Sequence, residues 1–373
     1  MQQRKIEEIE ELLKPVKLGA LPDRPLVSVL TANYNYAKYL PEALDSVLHQ
    51  TYDQFEVIVC DDGSTDESCE ILEGYVRRDP RIKLTRKANG GVASALNVAY
   101  GESKGEIVCL LDADDRFLPD KLKSVVEVFR SNPCSGFLGH RLFLIDADGN
   151  RHGSKPLFTR HPCGWYGPFS VMHGDFPPGI SFGSGLCLRR EISDLIFPLP
   201  VKFKSGADAI IMVLAPLMTP IVGIDAPLTD YRCHGRNVTN TADVTLESIE
   251  RDLHVTKMLW EIRKEFLARI DPRLNELSLE FDQHLGTLVF TYMQVRLRSS
   301  GQQLRAYRNL VQARDFVRLH VLMRWFWRLS ILLPRPVFRH ALNETLRPGP
   351  VKQFIWRMKN GTNLARQSPA AAH

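Results

Sequence analysis

The stretch from Glu106 to Arg116, EIVCLLDADDR, constrains this chain more than any other. Five consecutive apolar residues, Ile107 to Leu111, follow Gly105 and run directly into Asp112, Asp114 and Asp115. An apolar run that short, bounded by glycine, reads as a strand buried on both faces of a parallel sheet. Side chains alternate along a strand, so continued extension puts Asp112 and Asp114 on one side and Asp115 on the other. Two carboxylates then converge at the carboxyl end of a buried strand, where open α/β sheets bind their ligands. Carboxylates crowded this closely repel one another, and a divalent cation is the usual reason to tolerate them. The same residues also fit an acidic turn capping a helix that begins near Leu118, with Asp115 as its N-cap.

The preceding hundred or so residues favour the sheet. A strand from Leu26 to Thr31 ends in the polar run ANYN, and a helix is expected from Leu40 to Gln50. The next strand, FEVIVC, ends in Asp61-Asp62-Gly63-Ser64 before a helix from Asp66 to Arg78. Ile82 to Thr85 reads as a third strand and Gly91 to Tyr100 as a third helix. Strands and helices alternating at this pitch make βαβ units. Right-handed crossovers gather the carboxyl ends on one edge, so Asp61 and Asp62 stand beside the three later acids. Such a crevice needs cations, and a phosphate-bearing nucleotide is the natural co-ligand. Neither a P-loop nor a G-x-G-x-x-G follows the first strand, so the phosphates are held in some other way.

The order VSVLTANYN, VIVCDDGSTD, KANGGVASALNVA and LLDADD resembles the nucleotide-binding half of a family 2 glycosyltransferase of the GT-A fold. The likeness covers roughly Leu26 to Leu122. It implies an α/β fold, a mainly parallel sheet flanked by helices, and glycosyl transfer from a nucleotide-diphosphate sugar with inversion. By the same resemblance Thr31, Asn33, Asp62, Lys87, Asn89 and Asp112 line the nucleotide site, with Asp62 accepting a hydrogen bond from the base. Asp112 would hold the ribose or metal, and Asp114 would bind Mg²⁺ or Mn²⁺ at the diphosphate. The segment SGADAIIMVLAPL resembles the family's helix whose Asp is the catalytic base. That role falls to Asp208, with Ala207 in place of the commoner acid, and the helix dipole is expected to hold Asp208 ionised. The segment Tyr231-Arg232-Cys233-His234-Gly235-Arg236-Asn237 resembles the one that closes over the diphosphate. His234 is then a metal ligand or phosphate donor, and Arg232 and Arg236 bind anion.

The remainder is looser. Gly136 to Ile145 and Phe182 to Arg190 read as strands, and residues 146–150 as a hairpin turn. Arg160 to Ile180 is a long Pro-, Gly- and aromatic-rich loop. Its Trp165, Tyr166 and Phe169 fit stacking on an acceptor sugar, or packing on the body. Residues 4–14 form an amphipathic helix, expected to dock outside the main domain and followed by a Pro-punctuated linker. After Asn240 helices replace strands: Leu246 to Ile270, Leu274 to Arg298 and Gln302 to His320. Three parts are therefore expected: an N-terminal helix and linker (1–24), a catalytic domain (25–242) and an all-helical extension (243–373).

Charge bears on partners. The net charge is +5, but from His320 onward nine Lys and Arg face Glu344 alone, which makes the tail +8. Within it, VLMRWFWRLSILLPRPVFR (321–339) sets Trp325, Phe326 and Trp327 among arginines. That composition fits a helix lying in a membrane interface, and equally a helix packed within the protein. The seven cysteines are scattered and contain no C-x-x-C, so a reducing cytoplasm is expected, without disulfides or zinc. The N-terminal MQQRKIEEIEELLK is too charged for a signal peptide, and no run is apolar enough for an ordinary transmembrane helix. The expected partners are a nucleotide sugar, with UDP as its nucleotide, and a sugar, lipid-linked or protein acceptor in polysaccharide or glycolipid synthesis; nucleic acid is not among them. A sugar-nucleotide nucleotidyltransferase and a non-catalytic sugar-nucleotide-binding protein are the rival readings. The first would show a Gly-rich basic signature that ANYNYAKYL lacks, and the second would have lost Asp114 or Asp208.

Overall fold

The computed structural model describes residues 2–151, 156, 161–175, 177, 179–204, 206–234, 244–298 and 301–346. Residues 1–240 with 265–277 form one compact unit, and the rest of the C-terminal region forms a second.

In the first unit α1 (Gln2–Leu12) is followed by β1 (Val27–Asn33), α2 (Leu40–Leu48), β2 (Phe55–Asp61) and α3 (Ser68–Arg78). Then come β3 (Ile82–Arg86), α4 (Val92–Glu102), β4 (Ile107–Leu110), the short β5 (Arg116–Phe117) and α5 (Lys121–Ser131). β6 (Phe137–Ile145), α6 (Gly167–His173), β7 (Leu186–Arg189), α7 (Arg190–Ile196), α8 (Asp208–Met218) and β8 (Ile221–Arg232) complete the sheet. Its order is β3-β2-β1-β4-β7-β6-β8-β5. β3, β2, β1 and β4 run parallel, β7 is antiparallel to both β4 and β6, and β6 and β8 are parallel to each other.

The alternating apolar residues explain the layers. Val27, Val29, Val57, Val59, Ile107 and Cys109 form one face with Leu40, Leu44 and Val47 of α2, Leu72 of α3 and Val125 and Phe129 of α5. Leu30, Ile58 and Val108, also fully buried, are left for the other face, where α4 contacts β1 and β2. A strand covered on both sides is nearly all apolar, which is why β4 is an unbroken run and β1 and β2 are interrupted only by buried polar residues such as Ser28 and Glu56, which hydrogen-bond each other. The N-terminal helix is not an outlying element: Ile9 and Leu13 are buried, and α1 contacts α6 and α10 (Arg273–Leu277).

The second unit is helical. It holds most of α9 (Leu246–Ile270), then α11 (Leu285–Arg298), α12 (Gln303–Val311), α13 (Val321–Leu329) and α14 (Arg335–Leu346). The expected 274–298 helix is broken between α10 and α11 by a turn at Phe281–Gln283, and residues 265–277 belong to the first unit. Tyr292, Leu310, Phe316, Trp327, Phe338 and Leu342 form its core. Among the described residues no helix is long and apolar enough to cross a membrane.

Candidate active site

Four carboxylates and a histidine meet at the carboxyl edge of β1, β2 and β4. Extension does not persist to Asp114, as alternation required. β4 stops at Leu110, and a turn closed by Asp115 N–H donating to the Asp112 carbonyl (3.0 Å) aims the acids. Asp115 is turned inward, where its carboxylate accepts from Ser184 Oγ (2.6 Å) and Arg232 N (2.8 Å). It does not cap the next helix, since α5 starts at Lys121 after Asp120.

Ser184 ties the turn to β7. Its Oγ accepts from Asp112 N (2.9 Å), and its carbonyl accepts from the fully buried Lys121 Nζ (2.5 Å). Gly183, at φ +47°, meets two of the acids. Its N–H donates to Asp208 Oδ2 (2.9 Å), while a Cβ there would stand 2.5 Å from Asp112 Oδ2. Only glycine allows that approach.

Asp208 is the first residue of α8. The dipole does not prevail as expected: burial raises the Asp208 carboxyl above its ordinary value, despite hydrogen bonds from Gly183 and Ala209 that lower it. Asp112 is pushed up to about 8 by burial, then by Asp114 and Asp208. Burial also raises Asp114, with His234 opposing. Asp114 Oδ2 and His234 Nε2 are 2.9 Å apart, and Tyr39 stacks on the imidazole at a ring separation of 5.0 Å. Tyr36 meets the same ring edge-on at 5.8 Å; burial and then Asp114, Asp112 and Asp115 raise its phenol. Both tyrosines and Gly183 escaped the sequence reading. Their signals were the Tyr-x-x-Tyr after the first strand and the run FGSG.

The ends of β1 and β2 lie alongside. Asp62 accepts from Lys87 Nζ (2.5 Å), Gly90 N (3.0 Å) and Gly91 N (2.7 Å), so Lys87 and the glycine turn are already gathered on it. Asn33 Nδ2 donates to Asp61 Oδ2 (2.7 Å). Burial raises the Asp61 carboxyl, but bonds from Ser64 and Asn33 outweigh that and hold it low. Thr31 is buried, and its hydroxyl has no partner among the described residues; Asn89 is exposed in the adjoining loop.

Two expected site residues stand elsewhere. Arg232 is fully buried, and its guanidinium donates to Glu42 Oε2 (2.7 Å), the Asp114 carbonyl (2.7 Å) and the carbonyls of Asp146 and Ala147 (both 3.3 Å). It braces the acidic turn from behind. Trp165 follows Gly164, which bridges to Ile221 at the start of β8, whereas Arg232 and His234 lie at and just beyond its end. Trp165 makes no hydrogen bond to the acids: its indole N–H has no partner among the described residues. Arg236 lies outside the described residues.

The donor set suits a hard divalent cation. Among the described residues no three His, Cys, Asp or Glu side chains form a preformed cage. Oxygen and imidazole donors are nevertheless adjacent at Asp114 and His234, and burial, with mutual repulsion at Asp112, raises the Asp112 and Asp114 carboxyls. Mg²⁺ and Mn²⁺ accept such sparse protein ligation when phosphate oxygens fill the remaining positions.

The fold and this acidic edge define a GT-A-type glycosyltransferase. The family described as Glycosyl transferase family 2 matches residues 28–186. An uncharacterized glycosyltransferase of Nostoc sp. is 36% identical over 252 residues, covering 65% of this chain and 76% of that protein. A chondroitin synthase of Pasteurella multocida is 37% identical over 125 residues, covering 34% of this chain but 13% of that protein. In fold, S. aureus TarS 1–349 in complex with UDP-GlcNAc superposes with a TM-score of 0.55 at 21% identity, covering 86% of this chain and 91% of that one. The chain belongs to glycosyltransferase family 2.

Proposed function

We propose that the protein transfers a sugar from a nucleotide-diphosphate donor, a UDP-sugar, to an acceptor hydroxyl with inversion, in the synthesis of a cell-surface polysaccharide or glycolipid. One observation carries this reading: Asp208 and Asp112 both close on the same glycine, with Asp114 and His234 paired nearby. An acceptor hydroxyl at Asp208 gives its proton to that carboxylate as its oxygen attacks the anomeric carbon. The bond from that carbon to the diphosphate oxygen breaks, and the nucleoside diphosphate departs from the opposite face. One displacement needs one base and no covalent nucleophile. Burial lifts the basicity of Asp208, which improves a carboxylate for this task.

Asp62, held by Lys87 and the Gly90–Gly91 amides, is the acceptor offered to the base, with Thr31, Asn33 and Asn89 around it. Mg²⁺ or Mn²⁺ held by Asp114 and His234, with Asp112 adjacent, would supply positive charge for the departing diphosphate. Arg236, two residues beyond His234, is the cation assigned to that diphosphate, and Arg232 is a positioning residue for the Asp114 turn. The cytoplasmic setting rests on the sequence, whose seven scattered cysteines contain no C-x-x-C. The UDP assignment leans on the TarS complex, and the polymer assignment on the chondroitin synthase likeness. A panel of UDP-, GDP- and dTDP-sugars, screened by thermal shift with and without Mn²⁺, tests both donor and metal. A metal-dependent shift with UDP-sugars is expected; no shift with any nucleotide sugar contradicts the proposal.

A further inference from the structure

The second unit presents an apolar ridge, flanked on one side by arginines, that its own core does not use. At about 100° per residue, Val321, Leu322, Trp325 and Leu329 share one ~100° sector of α13. All four are exposed, Trp325 by 56%, and Leu332 just beyond the helix by 76%. Arg324 and Arg328 border that sector on one side. Opposite it lies Trp327, 2% exposed, edge-on to Tyr292 and inside the core of the unit. The tryptophan pair is thus divided, one holding the helix down and the other facing out.

The platform is well fastened. Tyr307 Oη donates to the Arg328 carbonyl (2.9 Å), Arg296 Nη2 to the Leu333 carbonyl (2.5 Å), and Ser330 Oγ to the Trp327 carbonyl (2.6 Å). The exposed ridge is a feature of the folded unit and not a frayed end.

Charge complementarity selects the occupant. Residues 301–346 carry eight arginines against Asp315 and Glu344, a net +6. Asp315 lies within 4 Å of both Arg314 and Arg318. A second copy would bring the same positive face. Residues 347–373, with five Lys and Arg and no acid, would also be repelled. A surface that is anionic and also accepts a row of aliphatic and indole side chains is a lipid bilayer bearing anionic headgroups. We propose that the outward face of α13 and the following turn seats the protein on an anionic membrane surface, with Trp325, Leu329 and Leu332 in the headgroup boundary and Arg324 and Arg328 on the phosphates. This rests on the second unit alone and not on the glycosyltransferase reading.

The test is co-sedimentation of the full chain with vesicles, without any nucleotide sugar. Wild type should bind vesicles of equimolar phosphatidylcholine and phosphatidylglycerol, and bind pure phosphatidylcholine far less. Added salt should weaken binding without abolishing it, because the apolar part is unscreened. Trp325→Ser with Leu329→Ser should weaken partitioning about tenfold or more. Arg324→Gln with Arg328→Gln should weaken it about thirtyfold. Trp325 and Leu329 are exposed, so that pair should keep wild-type circular dichroism and melting, and the arginine pair should keep the fold at a small cost, since Arg328 leaves its place over the Phe316 ring (5.8 Å); a deletion of 347–373 should keep the binding. No binding of wild type to the anionic vesicles overturns the proposal. So does equal binding by the Trp325/Leu329 variant, or loss of binding on deleting 347–373, which moves the contact to that segment. Concentration-dependent self-association without lipid that the Trp325/Leu329 variant abolishes would assign the ridge to a second copy and overturn it likewise.

Discussion

Arg232→Met separates a buried brace from a phosphate ligand. The wild-type guanidinium makes two short contacts of 2.7 Å, to Glu42 and the Asp114 carbonyl, and two of 3.3 Å. Each charge-assisted bond is worth about 1.5–3 kcal/mol, and a buried carbonyl left unsatisfied costs about 1–3 kcal/mol. Two effects reduce that sum. Glu42 is exposed enough for water to replace part of its contact, and burying Met relieves the desolvation of the cation. A net loss of about 3 kcal/mol follows, near the lower end for breaking a buried ion pair. Urea denaturation should show it as a lower midpoint with unchanged slope. Because the Asp114 turn loses its support, Mn²⁺ affinity should fall roughly 10–100-fold, as for other groups that orient a ligand. Arg232→Lys, which keeps the charge but not the fork, should lie between the two. Stability within about 1 kcal/mol of wild type, together with weakened UDP binding, would refute the brace and return Arg232 to the diphosphate.

The other expectations concern the same edge. Asp112 titrates at about 8 in the folded protein against 3.8 ordinarily, so the native state holds the extra proton between those values. Stability of metal-free protein should therefore fall as pH rises through that window, and Asp112→Asn should flatten the fall and add about 2 kcal/mol at pH 8, after discounting for partial exposure. Opposite slopes in urea titrations would contradict this. Gly183→Ala should leave the fold intact at a cost of about 1–3 kcal/mol, because φ +47° disfavours a side chain. It should lower turnover at least tenfold by displacing Asp112; wild-type turnover would show that the close approach is idle.

Much of this was legible because local patterns and the fold agree. Four strand-ends with their motifs follow from buried apolar runs that need no distant information, and α9 has the bounds that its periodicity gave. The failures share a cause: they turn on partners far away in sequence. Asp112 and Asp114 converge through a turn that Ser184, 72 residues beyond Asp112, holds in place. Arg232 reads locally as an anion binder, yet its carboxylate partner is 190 residues upstream at Glu42. Composition leaves Trp165 open between an acceptor sugar and packing on the body, and the bridge that sends its segment to the start of β8 has no local signature. The helix expected over 321–339 ends at Leu329, short of Pro334, and on α13 the side each tryptophan faces depends on where Tyr292 and Phe338 stand.

Single-turnover transfer by Asp208→Asn, with the donor found by the nucleotide-sugar screen, decides whether Asp208 is the base. Turnover should fall roughly 10²–10⁴-fold, the usual worth of a general base, with donor dissociation constant and metal dependence nearly unchanged. Wild-type turnover, or collapse of donor binding with the bound donor still transferred at the normal rate, would contradict it and put the base elsewhere.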